Sequence, residues 1–287
     1  MRAALLDQLR CPACGDPLTG EPAGPLASAC GRTFPVPDGI PALLYPDELA
    51  PSDAEFKDKY DSGADVYARG LDWLFASFGE DAQRVRTRMS SLLELEPGAR
   101  VLETGCGTGE DSSLILDRIG SEGSLVAQDI SAAMLGLARE KLDSAGTVDW
   151  LQSNASHLPL PDASFDAAFH FGGINEFGEI KRAIAEMARV VRPGGKVVVG
   201  DEGVAPWLRR KRFGQILINA NPLYKHRPPM DKLPVEAREV RVQWLLGNSF
   251  YVIDFRVGEG EPFLDIDLPI PGRGDSLRSR WEASRGG

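Results

Sequence analysis

Histidine and cysteine are both scarce in this chain, with three histidines and four cysteines among 287 residues. No histidine precedes His157, so the usual substitute for a missing cysteine in a structural metal site is absent from the N-terminal part. Four cysteines, with Cys106 set between two glycines, are too few for a disulfide scaffold and point to a reducing, cytoplasmic setting. Long apolar runs are missing too: none approaches the ~18–20 residues of a membrane span. Ala3–Leu6 is too short for a secretory signal, and Asp7 follows at once. Basic residues are outnumbered, 32 against 42, leaving a net charge of −10. An acidic surface neutralises few phosphates, so no nucleic acid is expected as a partner. Arg209-Arg-Lys-Arg212 is a local exception that reads as a solvated helix face. No internal repeat is present.

Glycine is placed with purpose. Val101-Leu-Glu-Thr-Gly-Cys-Gly-Thr-Gly-Glu-Asp111 reads as the end of a buried strand, a turn nearly free of side chains, and a helix from Asp111 to Ile119. Glycines there let backbone approach a ligand, and the helix aims its free N–H groups back at it. The spacing is G-x-G-x-G, with Glu110 where a dinucleotide fingerprint places its third glycine. Glu103, at the strand end, suits an amino group better than a pyrophosphate. The next strand, Ser124–Asp129, ends in an acid 20 residues after Gly109, where a carboxylate can accept both hydroxyls of a ribose.

These two segments resemble the first motifs of the class I S-adenosylmethionine (SAM) dependent methyltransferases. The resemblance runs on through Ser153-Asn-Ala-Ser-His-Leu-Pro159, Phe165-Asp-Ala-Ala-Phe169 and Val191–Val199, covering roughly residues 95–258 in the expected order. It implies an α/β fold: a Rossmann-like seven-stranded sheet closed by an antiparallel hairpin. It also implies SAM as cofactor and S-adenosylhomocysteine as product. The cofactor set it implies is Tyr60, Glu103, Gly105, Cys106, Gly107, Gly109, Asp129, Ile130, Met134, Asn154, Ala155 and Phe171. Asn154 departs from the acid often found there, yet its carbonyl can accept from an adenine amino group. Cys106 serves close packing and is not a nucleophile.

Four stretches divide the chain. Residues 1–46 hold Cys11-Pro-Ala-Cys14 and Cys30 and resemble a small zinc ribbon of the kind that activates tRNA methyltransferases. Such a ribbon normally supplies a second C-x-x-C, but Ala27 stands three before Cys30. A ribbon without a metal is therefore expected, with zinc held by the three cysteines and an outside ligand as the alternative. Residues 47–95 read as a linker and a helical cap, broken near Gly79, and the resemblance implies that Tyr60 and Tyr67 lid the cofactor. Residues 96–258 alternate strand and helix, the mark of a parallel sheet, and end in a hairpin around Gly247-Asn-Ser249. Residues 259–287 carry five glycines, three prolines and many charges, and an extended tail is expected.

Methyl transfer from a sulfonium needs an in-line nucleophile and, where the acceptor is not already ionised, a base. Phe171-Gly-Gly-Ile-Asn-Glu-Phe177 resembles the matching stretch of the ubiquinone/menaquinone C-methyltransferase group. Glu176 and Glu202, just beyond two strand ends, and His226, in a proline-rich loop, are the candidate bases. His170, alternating with Phe169 and Phe171, reads as a satisfied core histidine. Trp73, Phe75, Trp207, Tyr224 and Met230 would give apolar walls. The expected activity is methylation of a small, largely apolar or aromatic metabolite at O, C or N. An RNA-base methyltransferase and a SAM-binding regulator or scaffold are the alternatives. The expected partner is a small-molecule acceptor; no membrane is expected, and a homodimer is compatible with the pattern.

Overall fold

The computed structural model describes residues 1–142 and 146–285, the side chains of 64–72 excepted. Tyr67 lies outside the described side chains. The N-terminal part has a short helix α1 (Ala3–Leu6), paired strands β1 (Leu26–Ala27) and β2 (Thr33–Phe34), and strand β3 (Ala42–Leu43). Helices α2 (Pro51–Ser77) and α3 (Ala82–Ser91) follow. Pro51 sits in the first turn of α2, where its missing N–H costs nothing, and Gly63 leaves helical geometry to kink it. The Asp81 side chain caps α3 by accepting the Arg84 N–H at 2.7 Å.

The core then runs β4 (Arg100–Thr104), α4 (Glu110–Ile119), β5 (Ser124–Asp129), α5 (Ala132–Leu142), β6 (Val148–Ser153) and β7 (Phe165–Phe171). It continues through α6 (Ile180–Val190), β8 (Val191–Glu202), α7 (Arg212–Ala220), β9 (Ala237–Leu245) and β10 (Phe250–Val257), and α8 (Leu277–Arg285) ends the chain. The sheet order is β3-β6-β5-β4-β7-β8-β10-β9. Strands β4 to β8 pair in parallel, and β10 is antiparallel to both β8 and β9. Strands β4, β5 and β7 are buried almost throughout, as parallel strands covered on both faces are.

Two expectations are corrected. The sheet has eight strands, because β3 pairs in parallel with the outer edge of β6. That edge would otherwise show unpaired backbone groups; the Gln152 N–H, for example, donates to the Pro41 carbonyl at 3.0 Å. The N-terminal part is seated firmly, since Leu5, Leu9, Leu26, Phe34 and Leu43 share one apolar cluster with Leu102, Val126 and Leu151. Arg2 adds a two-pronged pair to Asp149 at 2.8 and 2.6 Å. The tail is not extended throughout, because Leu277–Arg285 forms α8, with no buried residue. Glycine and proline are absent from Leu277–Arg285, so local propensity decides the matter. Among the described residues, no helix is long and apolar enough to cross a membrane.

Candidate functional site

Strands β4, β5, β6 and β7 all end on one edge of the sheet, where open α/β folds hold ligands. A cleft lies over that edge. Its floor is the glycine turn. Gly105 has φ +61°, and a Cβ there would come 3.1 Å from Cε1 of His170. Gly109 has φ +82° as the N-cap of α4, and a Cβ would meet Leu142 at 3.0 Å and Ala138 at 3.3 Å. Gly105 and Gly107 line the cleft, whereas Gly109 brings α4 against α5.

Asp129 stands beside this turn with both carboxylate oxygens engaged. It accepts the Gly107 N–H at 2.9 Å and the Ser131 N–H at 2.9 Å. Burial raises its pKa to about 6, against the pull of the Ser131, Gly107 and Ile130 N–H groups. Ile130, Met134, Asn154 and Ala155 complete the lining on this side. The Asn154 carbonyl accepts the Ser156 N–H at 2.9 Å, and its amide donates to Asp53 at 3.2 Å. An adenine amino group would therefore have to share that carbonyl.

Helix α2 forms the opposite wall. Asp53, Phe56 and Tyr60 recur at intervals of three and four, a single helical stripe, and all three line the cleft. Asp53 also accepts the Gly178 N–H at 2.8 Å, which ties α2 to the loop after β7. Asp61 accepts the Ser131 hydroxyl at 2.6 Å and the Lys57 ammonium at 2.8 Å. Burial works against its charge, but those donors hold Asp61 below the usual carboxylate range.

The far end of the cleft is built around Glu176, which is 6% exposed. Tyr60 donates its hydroxyl to Glu176 Oε2 at 2.6 Å, and Lys59 Nζ lies 3.7 Å from Oε1. Burial holds Glu176 above the ordinary carboxylate range, against the downward pull of Tyr60 and Lys59. The turn carrying it is fixed through Asn175, which donates its backbone N–H to Asp201 at 2.6 Å and its amide to the Glu202 carbonyl at 2.8 Å. The Tyr251 hydroxyl donates to the remaining Asn175 oxygen at 3.0 Å.

His170 belongs to the cleft rather than to a satisfied core. Its Nδ1 lies 2.8 Å from the Thr104 carbonyl, which can only accept, so Nδ1 carries the proton. Burial lowers its pKa and keeps the ring neutral. Nε2 is then a buried lone pair with no partner among the described residues, in a ring that lines the cleft. Strand parity explains the difference: side chains at 169 and 171 face one side, and that at 170 faces the other.

Several sequence assignments fall outside the cleft lining. Phe171 turns the other way and packs on Phe250, with ring centroids 5.9 Å apart. Glu103 is buried beneath the loop and accepts the Ser112 hydroxyl. Burial and the neighbouring Asp111 push its pKa well up, which favours a neutral carboxyl. Cys106 packs into the apolar cluster behind the turn. Glu202 does not line the cleft, and burial together with the adjacent Asp201 pushes its pKa well up. His226 is exposed; its backbone N–H donates to the Leu223 carbonyl at 3.0 Å and its carbonyl accepts from Arg209 at 3.1 Å. The expected apolar walls are also elsewhere. Phe75 is core, Tyr224 packs on Phe250, and Trp73, Trp207 and Met230 are exposed to solvent. Phe56, Phe177, Ile130 and Met134 supply the apolar lining instead. Asp53, Phe56, Gln128, His170 and Phe177 were not singled out for the site; the stripe 53, 56, 60 was the signal available for the first two.

Residues 101–195 match a protein family described as a methyltransferase domain. The ubiquinone/menaquinone biosynthesis C-methyltransferase UbiE of Xanthomonas oryzae pv. oryzae is 38% identical over 121 residues, which is 40% of this chain and 48% of that protein. The chain spans about half the length of the curated relatives it matches. Among solved structures, the [4+2]-cyclase SpnF superposes with a TM-score of 0.53 at 18% identity, over 74% of this chain and 99% of that one. Phosphoethanolamine N-methyltransferase 2 of Haemonchus contortus, in complex with SAM, gives a TM-score of 0.55 at 12% identity, over 76% and 62%. At such identities the two structures speak for the fold alone.

Proposed function

We propose, from the premise that the chain carries a class I SAM-dependent methyltransferase domain, that it methylates a small, largely apolar or aromatic metabolite. The carrying observation is the division of the cleft. One end offers the side-chain-free glycine turn and Asp129; the other offers Glu176 amid Phe56, Tyr60 and Phe177. SAM would lie with its ribose on Asp129 and its methionine portion over Gly105 and Gly107. The His170 Nε2 lone pair, beside Gly105, is an acceptor suited to an ammonium group. The methyl would then project toward Glu176.

Carbon is the favoured site of methylation, in line with the C-methyltransferase among the similar proteins. When a phenolic hydroxyl loses its proton, electron density rises on the adjacent ring carbon. That carbon would attack the methyl as the carbon–sulfur bond breaks and sulfur keeps the electron pair, giving S-adenosylhomocysteine; the ring carbon would then lose its proton to solvent, which restores the aromatic ring. Glu176 is the base for the hydroxyl proton, and its raised pKa brings it nearer working pH. The α2 wall and the apolar lining orient the acceptor, which supplies much of the rate.

The test is release of S-adenosylhomocysteine from SAM with a panel of apolar phenols and quinols, read alongside the mass of the acceptor. Turnover that depends on such an acceptor supports the reading. Turnover only with RNA would replace it with base methylation. SAM binding without turnover on either class would make the chain a SAM-binding regulator.

A further inference from the structure

We propose that Cys11, Cys14, Cys30 and Ser28 form a three-thiolate cation site, with the serine hydroxyl at the fourth corner, that takes a borderline-soft divalent cation such as zinc. This is independent of the activity assigned to the cleft. The three cysteine sulfurs all lie within 4.8 Å of one another. Cys11 Sγ and Cys30 Sγ are 3.8 Å apart, and none of the three is in a disulfide. Thiolates held about 2.3 Å from a tetrahedral zinc stand ~3.8 Å apart.

The backbone explains why Ser28 is the fourth corner and Ala27 is not. In the first turn, the Cys11 N–H donates to the Asp16 carbonyl at 2.8 Å and the Gly15 N–H returns to the Cys11 carbonyl at 2.8 Å. In the second, the Ser28 N–H donates to the Arg32 carbonyl at 2.9 Å and the Gly31 N–H returns to the Ser28 carbonyl at 3.0 Å. Each turn ends on a cysteine followed by a positive-φ glycine, Gly15 at +79° and Gly31 at +84°. The second turn is one residue tighter, so the place held by Cys11 in the first is held by Ser28 in the second. Ser28 Oγ lies 3.3 Å from Cys14 Sγ and 3.2 Å from Cys30 Sγ. Ala27, the position that spacing alone indicated, turns its side chain to solvent from β1. The expectation of a metal-free ribbon therefore rested on the wrong residue.

Three sulfurs suit zinc, cadmium or cobalt(II) and disfavour calcium and magnesium, which require oxygen. A hydroxyl is a poorer ligand than a thiolate, and Cys14 and Cys30 are solvent-exposed. The site should therefore bind more weakly than a four-thiolate site and exchange its ion. Its structural effect falls on a region whose strands, β1, β2 and β3, are two residues each.

The experiment uses the full chain, kept reduced and purified without chelator, with elemental analysis followed by cobalt(II) titration. About one cation per chain is expected, with the tetrahedral cobalt bands and a thiolate-to-cobalt charge-transfer band. Cys14→Ala should abolish the spectrum while far-ultraviolet circular dichroism stays unchanged. Ser28→Cys should bind at least roughly tenfold more tightly and strengthen the charge-transfer band. The proposal is overturned if wild type gives no cobalt spectrum while Ser28→Cys does, since a serine corner then fails to make a site. It is overturned equally if cation binding survives in the Cys11→Ala, Cys14→Ala, Cys30→Ala triple variant.

Discussion

The two ends of the cleft are made by different means. The ribose end is backbone conformation plus one acid, encoded between Gly105 and Met134. Its parts hold each other, since Asp129 accepts the Gly107 N–H that belongs to the same turn. The acceptor end is assembled from side chains far apart in sequence: Tyr60 on α2, Glu176 after β7, and Asp201 and Tyr251 behind it. A backbone-built end is fixed once the strand and helix form. A side-chain-built end exists only when α2 is docked, and so it can be retuned without disturbing the cofactor.

The largest expected effect tests that independence. Glu176→Gln keeps the size of the side chain and removes the base, so turnover should fall by roughly 10²-fold or more. SAM affinity should stay within about twofold, because nothing at the ribose end leans on Glu176. Calorimetry and initial rates on the same preparation decide; a matching loss of SAM would mean the two ends are one unit. Asp129→Ala is the converse. Removing an acceptor for two hydroxyls should weaken SAM by at least about tenfold, ~1.4 kcal/mol.

Asp129 also makes cofactor binding depend on pH. With its pKa raised to about 6 in the free protein, the carboxylate is ionised above that value and protonated below it. The ribose diol donates hydrogen bonds, so SAM favours the ionised form. Affinity should be flat above pH ~7 and fall by up to about tenfold per unit below pH ~6. Glu176→Gln should show the same profile. A profile unchanged in Asp129→Ala would assign the titration to another group.

What the sequence made legible follows the same division. The central strands and the hairpin could be read because buried strands and glycine turns are local patterns. The eighth strand could not, since Ala42–Leu43 is too short to show a period. Gly105, Gly107, Asp129 and Met134 were legible from the turn and the acid after it. Phe171 and His170 were interchanged because a strand buried on both faces gives no apolar alternation from which to tell the sides apart. Glu202 closes β8 and His226 lies in the loop after α7, but only Glu176 follows a turn, Gly172-Gly173, that itself lines the cleft.

The smallest predicted effect concerns the link between cap and base. Tyr60→Phe keeps the ring against Phe56 and removes only the hydroxyl that donates to Glu176. That bond stabilises the ionised carboxylate, so its loss must raise the Glu176 pKa further. A base must be ionised to act, and the acid limb of the rate profile should therefore move to higher pH. On that limb the loss should be roughly 2- to 12-fold, the worth of a hydrogen bond of about 0.5–1.5 kcal/mol. At high pH, where Glu176 is ionised in both proteins, turnover should recover nearly to wild type. SAM affinity should change little throughout, since Tyr60 reaches the ribose end only through the rigid body of α2. A uniform loss at every pH would place the hydroxyl on the acceptor itself, and a loss of SAM would make α2 a wall of the cofactor site.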